Sequence, residues 1–214
     1  MQAIDGIFYV VILIMSVVVH EFAHGYMAYL LGDNTARISG RLTLNPLKHL
    51  DPFGSVLLPL ILVLSQAGFV IGWARPVPYN PNNLRNGRKG NIMVSIAGIV
   101  ANLAIAILFG LLMRFAPEFG LPLYTSDPSI IHPFYKITSI IVITNLVLSL
   151  FNLIPIPPLD GSKILFSILP PQLRHIQNFL EQWGMFILLF FVIFLWSQVA
   201  PLIYIAFSFI TGIH

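Results

Sequence analysis

Five apolar segments of roughly membrane-spanning length constrain this chain more than any other feature of its sequence. A transmembrane helix needs about 20 predominantly apolar residues. The segments lie at about 4–31, 53–71, 92–113, 137–158 and 184–211. Only 9% of the residues are charged, whereas soluble domains carry about 25%. We therefore expect an all-α integral membrane protein, a polytopic helical bundle that forms a single domain over residues 1–214.

Charge and cysteine content exclude several classes of function. The net charge of +3 is small and evenly scattered, so we expect the lipid bilayer, and no nucleic acid, as a partner. The sequence has no cysteine, which excludes disulfides, thiolate metal sites and cysteine nucleophiles. Any metal must therefore be held by nitrogen and oxygen atoms.

The first apolar segment contains ionisable residues that a bilayer penalises. They lie in the run H-E-F-A-H over residues 20–24, and charged residues inside a span suggest a functional site. On a helix, His20 and His24 share one face with about 6 Å of rise between them. Two imidazoles so placed can bind one zinc ion, with Glu21 as the general base of a metalloprotease. The alternative is a pair of buried histidines bonded to the backbone or to Glu21.

A catalytic zinc needs a third protein ligand and an open fourth position. The fourth apolar segment ends in the run N-L-I-P-I-P-P-L-D-G over residues 152–161. Its three prolines predict a break in the helix, and unwound backbone at membrane depth is tolerated only against protein or a cavity. Taken alone, such a stretch is an ordinary turn. Together with H-E-x-x-H, it favours Asp160 as the third ligand.

With both motifs present, the sequence resembles the site-2 protease family of intramembrane metalloproteases, in its short form without a PDZ or CBS domain. That family carries H-E-x-x-H on one membrane helix and N-x-x-P-x-x-x-L-D-G on a later one, as this chain does. The resemblance implies one Zn²⁺ per chain, bound by His20, His24 and Asp160, with Glu21 as base. It also implies hydrolysis of peptide bonds in or near transmembrane segments of a membrane-protein or membrane-bound peptide substrate.

Two asparagines are further candidates from the same resemblance. The family places an asparagine where Asn152 stands, and the likeness implies that Asn152 holds substrate or the developing oxyanion, a role its amide donor can fill. Residues 98–102 read G-I-V-A-N, which keeps the glycine and asparagine of the family's G-P-x-x-N pattern but not its proline. Asn102 is therefore a candidate for substrate binding, with helix packing as the alternative.

The zinc hypothesis imposes a condition on topology. His20 lies about 24 Å along the first helix, near its C-terminal end, and Asp160 ends the fourth segment. For the two to meet, both helices must run the same way through the membrane, so one of the two intervening segments does not cross. Segment 53–71 is the better candidate because Pro59 and polar residues interrupt it. We predict that it is re-entrant.

The positive charges support this topology. If 53–71 is re-entrant, nine Lys and Arg residues lie on one side of the membrane and two on the other. This asymmetry agrees with the positive-inside rule. If every segment crosses, the division is six against five. The nine are Arg37, Arg41, Lys48, Arg75, Arg85, Arg88, Lys89, Lys163 and Arg174. We therefore expect a site that faces the cytosol and an external N-terminus, in the cell membrane.

The stretch from residue 72 to residue 80 suggests how substrate is held. Pro76 and Pro78 remove the backbone donors of one strand edge, so Arg75, Val77 and Tyr79 would offer their amides on the other edge. Such a short β element near the active site can pair with an extended peptide by strand addition. The alternative is a stiff proline loop at the membrane interface.

Two other functions remain open on the sequence alone. One is a membrane carrier that binds metal with the same His/Asp cluster, and the other is a catalytically inactive scaffold. Glu21 would serve no purpose in a simple carrier, and no duplicated half, as many transporters have, is visible. The last apolar segment, 184–211, is either one long kinked span or two short arms, because its length exceeds one bilayer but not two.

Overall fold

The computed structural model describes residues 3–57, 61, 75–125, 127 and 131–213, and these residues form helices without a sheet. The α-helices are α1 (Ala3–Leu30), α2 (Thr35–Ile38), α3 (Gly87–Phe115), α4 (Pro133–Asn152), α5 (Asp160–Ile168), α6 (Arg174–Phe190) and α7 (Trp196–Thr211). Short 3₁₀ turns occupy Pro46–Lys48, Pro81–Asn83, Ala116–Phe119 and Pro171–Leu173. The predicted all-α class is confirmed.

Four helical segments of the described chain are long and apolar enough to cross a membrane. They are Phe8–Leu30, Gly87–Phe119, Pro133–Asn152 and Pro171–Thr211. The last has 41 residues, about 60 Å of helix, which is roughly twice the hydrocarbon core. A π-helical turn, Phe191–Leu195, joins α6 to α7 within it. The predicted segment 184–211 is therefore part of one long, interrupted helix.

Helix α3 is the centre of the bundle and contacts α1, α4, α5 and α7. On its C-terminal half, Ala106 is fully buried among Val142 and Leu146 of α4 and Ile203 of α7. Between Val94 and Asn102, α3 packs on α1 and forms hydrogen bonds with it. Side chains in the middle of α3 can therefore reach α1 and α4 at the same time.

Interhelical hydrogen bonds fix the directions of α1, α3 and α4. The pairs are His20 with Asn102, His24 with the Val94 carbonyl, Asn102 with Asn145, and Ser149 with the Ile99 carbonyl. Residue numbers rise along α1 while those of its α3 partners fall, so these two helices are antiparallel. The same holds for α3 and α4. Helices α1 and α4 thus run the same way, the condition that the zinc hypothesis imposed.

The predicted re-entrant path of 53–71 lies largely outside the described residues. Residues 52–57 form a π-helical turn, and 58–60 and 62–74 are not described. The re-entrant path therefore stays a prediction.

The short β element expected over residues 75–79 is not formed in the structure, because residues 75–80 contain no strand. The Arg75 N–H donates to the His49 carbonyl at 2.8 Å, and the Val77 N–H donates to Glu21 Oε2 at 2.8 Å. Two of the three amides expected on the free strand edge, those of Arg75 and Val77, are thus bonded within the protein. In this state neither amide is available to pair with a peptide.

Fully buried Asp33 anchors the segment that follows α1. Gly32, two residues after the end of α1, has a φ of +103°, which is readily adopted only by glycine. The Asp33 carboxylate then accepts hydrogen bonds from the Thr35 N–H and hydroxyl, the Asn80 N–H and the Asn83 amide. Burial raises the pKa of Asp33, but these hydrogen bonds outweigh it and hold the pKa below its ordinary value of 3.8. The carboxylate thereby ties residues 80–83 to the end of α1.

Replacing Asp33 with asparagine should destabilise the protein by about 1–3 kcal/mol near neutral pH, because an amide cannot accept all four bonds. A pKa below the ordinary value means that the ionised form stabilises the fold above about pH 4 and that this stabilisation fades as the pH falls. The difference between wild type and Asp33→Asn in thermal unfolding should therefore shrink on acidification. Glu118→Gln, at an exposed residue, is the control. A difference that does not change with pH would contradict this account.

Candidate metal centre

Three side chains from two distant parts of the sequence converge inside the bundle. His20 and His24 project from the C-terminal half of α1, and Asp160 is the first residue of α5. Asp160 Oδ2 lies 2.9 Å from Nε2 of each histidine, and the two Nε2 atoms are 3.0 Å apart. All three residues are buried. The structure thus brings together the three residues that the sequence predicted as metal ligands.

The other nitrogen of each imidazole is held by a carbonyl oxygen. His20 Nδ1 donates to Asn102 Oδ1 at 2.6 Å, and His24 Nδ1 donates to the Val94 carbonyl at 2.7 Å. Because an amide oxygen can only accept, both Nδ1 atoms carry the proton. In the neutral rings both Nε2 lone pairs therefore point at each other and at the carboxylate.

This donor set fits a metal ion. Three lone pairs that meet in a buried space repel one another unless a cation lies among them. A single proton can be shared by only two of the three atoms at a time, whereas one metal ion binds all three. Tetrahedral zinc with bonds of about 2.0–2.1 Å spaces its ligand atoms about 3.3 Å apart. The observed triangle is smaller by only a few tenths of an ångström.

Lys163 determines which oxygen of Asp160 enters the triangle. Its Nζ donates to Asp160 Oδ1 at 2.9 Å from one helical turn further along α5. Asp160 Oδ1 is thereby engaged, and Oδ2 faces the histidines. All three candidate ligands are therefore oriented by a second protein group, as is usual at metal sites.

Gly98 on α3 provides the space beside the imidazoles. A Cβ atom at this position would lie 2.6 Å from His24 Nε2 and 2.7 Å from His20 Nε2, closer than van der Waals contact allows. Any larger residue would push against the two nitrogens that face Asp160. The site thus requires glycine here, which gives the glycine of the 98–102 motif a physical reason.

Glu21 is linked to the segment between α2 and α3. Its Oε2 accepts the Val77 N–H at 2.8 Å, and the Val77 side chain is buried. Gly25 permits this approach, because a Cβ there would lie 2.7 Å from Val77 Cγ1. One carboxylate oxygen of Glu21 is therefore held by backbone next to the histidine pair.

The remaining predicted site residues are placed as follows. Asn102 is fully buried and bonded to His20, Ser16 and Asn145. Asn152, at the C-terminal end of α4, donates to the Leu148 carbonyl at 3.0 Å. The Arg75 side chain is exposed, and the Tyr79 hydroxyl donates to Asn91 Oδ1 at 2.9 Å.

Sequence reasoning missed Lys163 as a partner of Asp160 and Val94 as a partner of His24. Lys163 could have been found from its spacing, since residues three apart on a helix are neighbours. Val94 acts through its backbone carbonyl, which carries no residue-type signal. Asn145 was visible as a polar residue in a span, but its partner was not.

The chain is similar to proteins that are named as zinc metalloproteases. Residues 123–195 match the sequence profile of peptidase family M50. YwhC of Bacillus subtilis, named as a zinc metalloprotease, is 44% identical over 193 residues, which are 90% of this chain and 80% of the relative. Rip2 of Mycolicibacterium smegmatis, named likewise, is 34% identical over 190 residues, 88% of this chain and 68% of the relative. No solved structure matches the chain.

Replacing Gly98 with alanine should abolish metal binding, because the new methyl group would occupy the space beside both Nε2 atoms. Elemental analysis of detergent-purified protein would measure divalent metal per chain. Gly110→Ala is a matched control on the same helix, since its Cβ would meet the Ile210 side chain of α7. It should perturb packing and keep the metal. Undiminished metal content in folded Gly98→Ala would contradict the proposed location.

Proposed function

The chain belongs to peptidase family M50, and from that premise we propose that it is an intramembrane zinc metalloprotease that hydrolyses peptide bonds in or near transmembrane segments. The observation that carries this proposal is the triangle of His20, His24 and Asp160 donor atoms, each at about 3 Å from the others. Its two histidines lie on a helix apolar enough to cross a membrane, and Asp160 follows shortly after another such helix. A buried cluster of this kind at membrane depth is typical of a functional site.

We assign one zinc ion per chain to these three ligands. Bound zinc supplies a Lewis acid that polarises the scissile carbonyl and makes water acidic enough to be deprotonated near neutral pH. Protein side chains provide two nitrogens and one oxygen, which leaves a position open for water or substrate. The near-complete burial of all three ligands limits bulk water at the site.

Glu21 is the proposed general base. It takes a proton from the attacking water as the new C–O bond forms, and it returns that proton to the leaving amine as the C–N bond breaks. Glu21 Oε2 accepts a hydrogen bond from the Val77 N–H, so we assign Glu21 Oε1 to the attacking water. Val77 thus acts through its backbone as a positioning group for Glu21, a role different from the strand edge that the sequence suggested.

Substrate is proposed to be a membrane protein or membrane-bound peptide in extended conformation, since a helix hides its carbonyls in its own hydrogen bonds. On the basis of the family resemblance, Asn152 is proposed to contact the substrate or the developing oxyanion. Arg75 and Tyr79 border Val77 and are proposed contacts for the flanking residues. Asn102 is too deeply buried to contact substrate while it holds His20, so we propose an orienting role for it instead.

The site is proposed to open toward the cytosol from the cell membrane. Exposed cations cluster at the end of the bundle where α1 ends and α3 begins, among them Arg37, Lys48, Arg85, Arg88 and Lys89. Cytosolic ends of spans carry an excess of such residues. The helix directions that bring Asp160 to α1 agree with this arrangement.

Replacing Glu21 with glutamine should lower turnover by about 10²–10⁴-fold, because an amide cannot accept the proton of the attacking water. Bound zinc should be unchanged, since Glu21 is not a proposed ligand. The assay follows cleavage of a labelled transmembrane peptide that wild type cleaves in detergent. A variant that retains turnover would contradict the assignment of Glu21 as the general base, and zinc transport into vesicles that the variant retains would favour a carrier.

Replacing Val77 with proline should lower kcat while zinc content and KM stay near wild type, because the N–H that holds Glu21 is lost. Val77→Ala keeps that N–H and is the matched control for the loss of side-chain packing. If Val77 instead pairs with substrate, proline should raise KM. Equal kinetics for the proline and alanine variants would contradict a role for this amide.

A further inference from the structure

Two asparagines and a serine form a buried polar chain inside the bundle that takes no direct part in the proposed chemistry. Asn102 of α3 and Asn145 of α4 are fully buried, and Ser16 of α1 is nearly so. Polar side chains at this depth are costly unless every group is bonded. The orientation of each amide group is therefore determined by the donors and acceptors that surround it.

The direction of the chain can be read from its acceptors. Asn145 Nδ2 donates to the Ile141 carbonyl and to Ser16 Oγ, each at 2.9 Å. This leaves Asn145 Oδ1 as the acceptor for Asn102 Nδ2, at 2.7 Å. Asn102 Nδ2 also donates to the Ser16 carbonyl at 3.2 Å. Neither amide can be flipped without placing oxygen against oxygen.

The chain ends on a proposed zinc ligand. Because Asn102 Nδ2 faces two acceptors, its Oδ1 must face His20, where it accepts from Nδ1 at 2.6 Å. A proton on Nδ1 leaves the Nε2 lone pair free and directed at Asp160. The orientation of Asn145 thus fixes Asn102, and Asn102 fixes both the tautomer and the ring plane of His20.

We propose that Asn102 and Asn145 are positioning residues that tune the affinity of the zinc site through His20. This inference rests on the proposed zinc site and adds to it two residues that contact neither the metal nor the substrate. The competing explanation is that the amides only join three helices, since hydrogen bonds between membrane helices contribute to stability. That explanation predicts lower stability without a change in zinc affinity.

The test is zinc affinity in detergent-purified protein, measured by competition with a chelator of known affinity, beside the thermal stability of the zinc-free form. Asn102→Leu removes the acceptor of His20 and should weaken zinc binding by about 10- to 100-fold. Asn145→Leu leaves the Ser16 carbonyl as one acceptor for Asn102, so it should weaken binding by less. Both variants should bind zinc more weakly than wild type, whether or not their thermal stability changes.

Ser149→Ala is the matched control. The Ser149 hydroxyl is buried on α4 and donates to the Ile99 carbonyl of α3 at 3.1 Å, so its removal deletes a bond between the same two helices without affecting His20. It should lower stability and leave zinc affinity unchanged. If Asn102→Leu does not fold, the zinc affinity of Asn145→Leu alone tests the positioning role.

Two outcomes overturn separate claims. Wild-type affinity in the folded asparagine variants, or an equal loss in Ser149→Ala, would overturn the positioning role and leave the zinc site intact. Absence of zinc binding in folded wild type would overturn the proposed function itself.

Discussion

The convergence of two imidazole nitrogens and one carboxylate oxygen in a buried space is the constraint on which the rest of this structure depends. Three lone pairs at 2.9–3.0 Å are unfavourable together without a cation. Their arrangement requires α1 and α4 to run in parallel, α3 to lie between them, and the chain after Asn152 to unwind so that Asp160 reaches α1. Gly98 is needed at the same point, because any side chain there would meet both nitrogens.

Around this centre, each proposed ligand and the proposed base form a hydrogen bond with a further protein group. Asn102 orients His20, the Val94 carbonyl orients His24, Lys163 engages one oxygen of Asp160, and the Val77 N–H engages one oxygen of Glu21. Outer groups of this kind reduce the reorganisation that binding and catalysis require. Helix α3 supplies two of the four, which agrees with its central position.

The sequence predicted the helical class and the convergence of His20, His24 and Asp160 because both depend on residue type and spacing. Apolar length identifies spans, and H-E-x-x-H places two nitrogens on one helix face. The 152–161 prolines correctly predicted the end of α4. Residues 75–79 were harder to predict, because whether an N–H pairs with a strand or with Glu21 depends on tertiary position. The Asn145–Asn102–His20 chain was equally hidden, since polarity alone does not identify a partner.

The most direct test of the central claim is the zinc content of freshly purified, folded protein, compared between wild type and Asp160→Ala. The account predicts about one zinc per chain in wild type, because three buried ligands form one site. It predicts a sharp loss in the variant, since two histidines alone leave the site incomplete. Wild type without zinc, or Asp160→Ala with its full zinc content, would contradict the three-ligand centre.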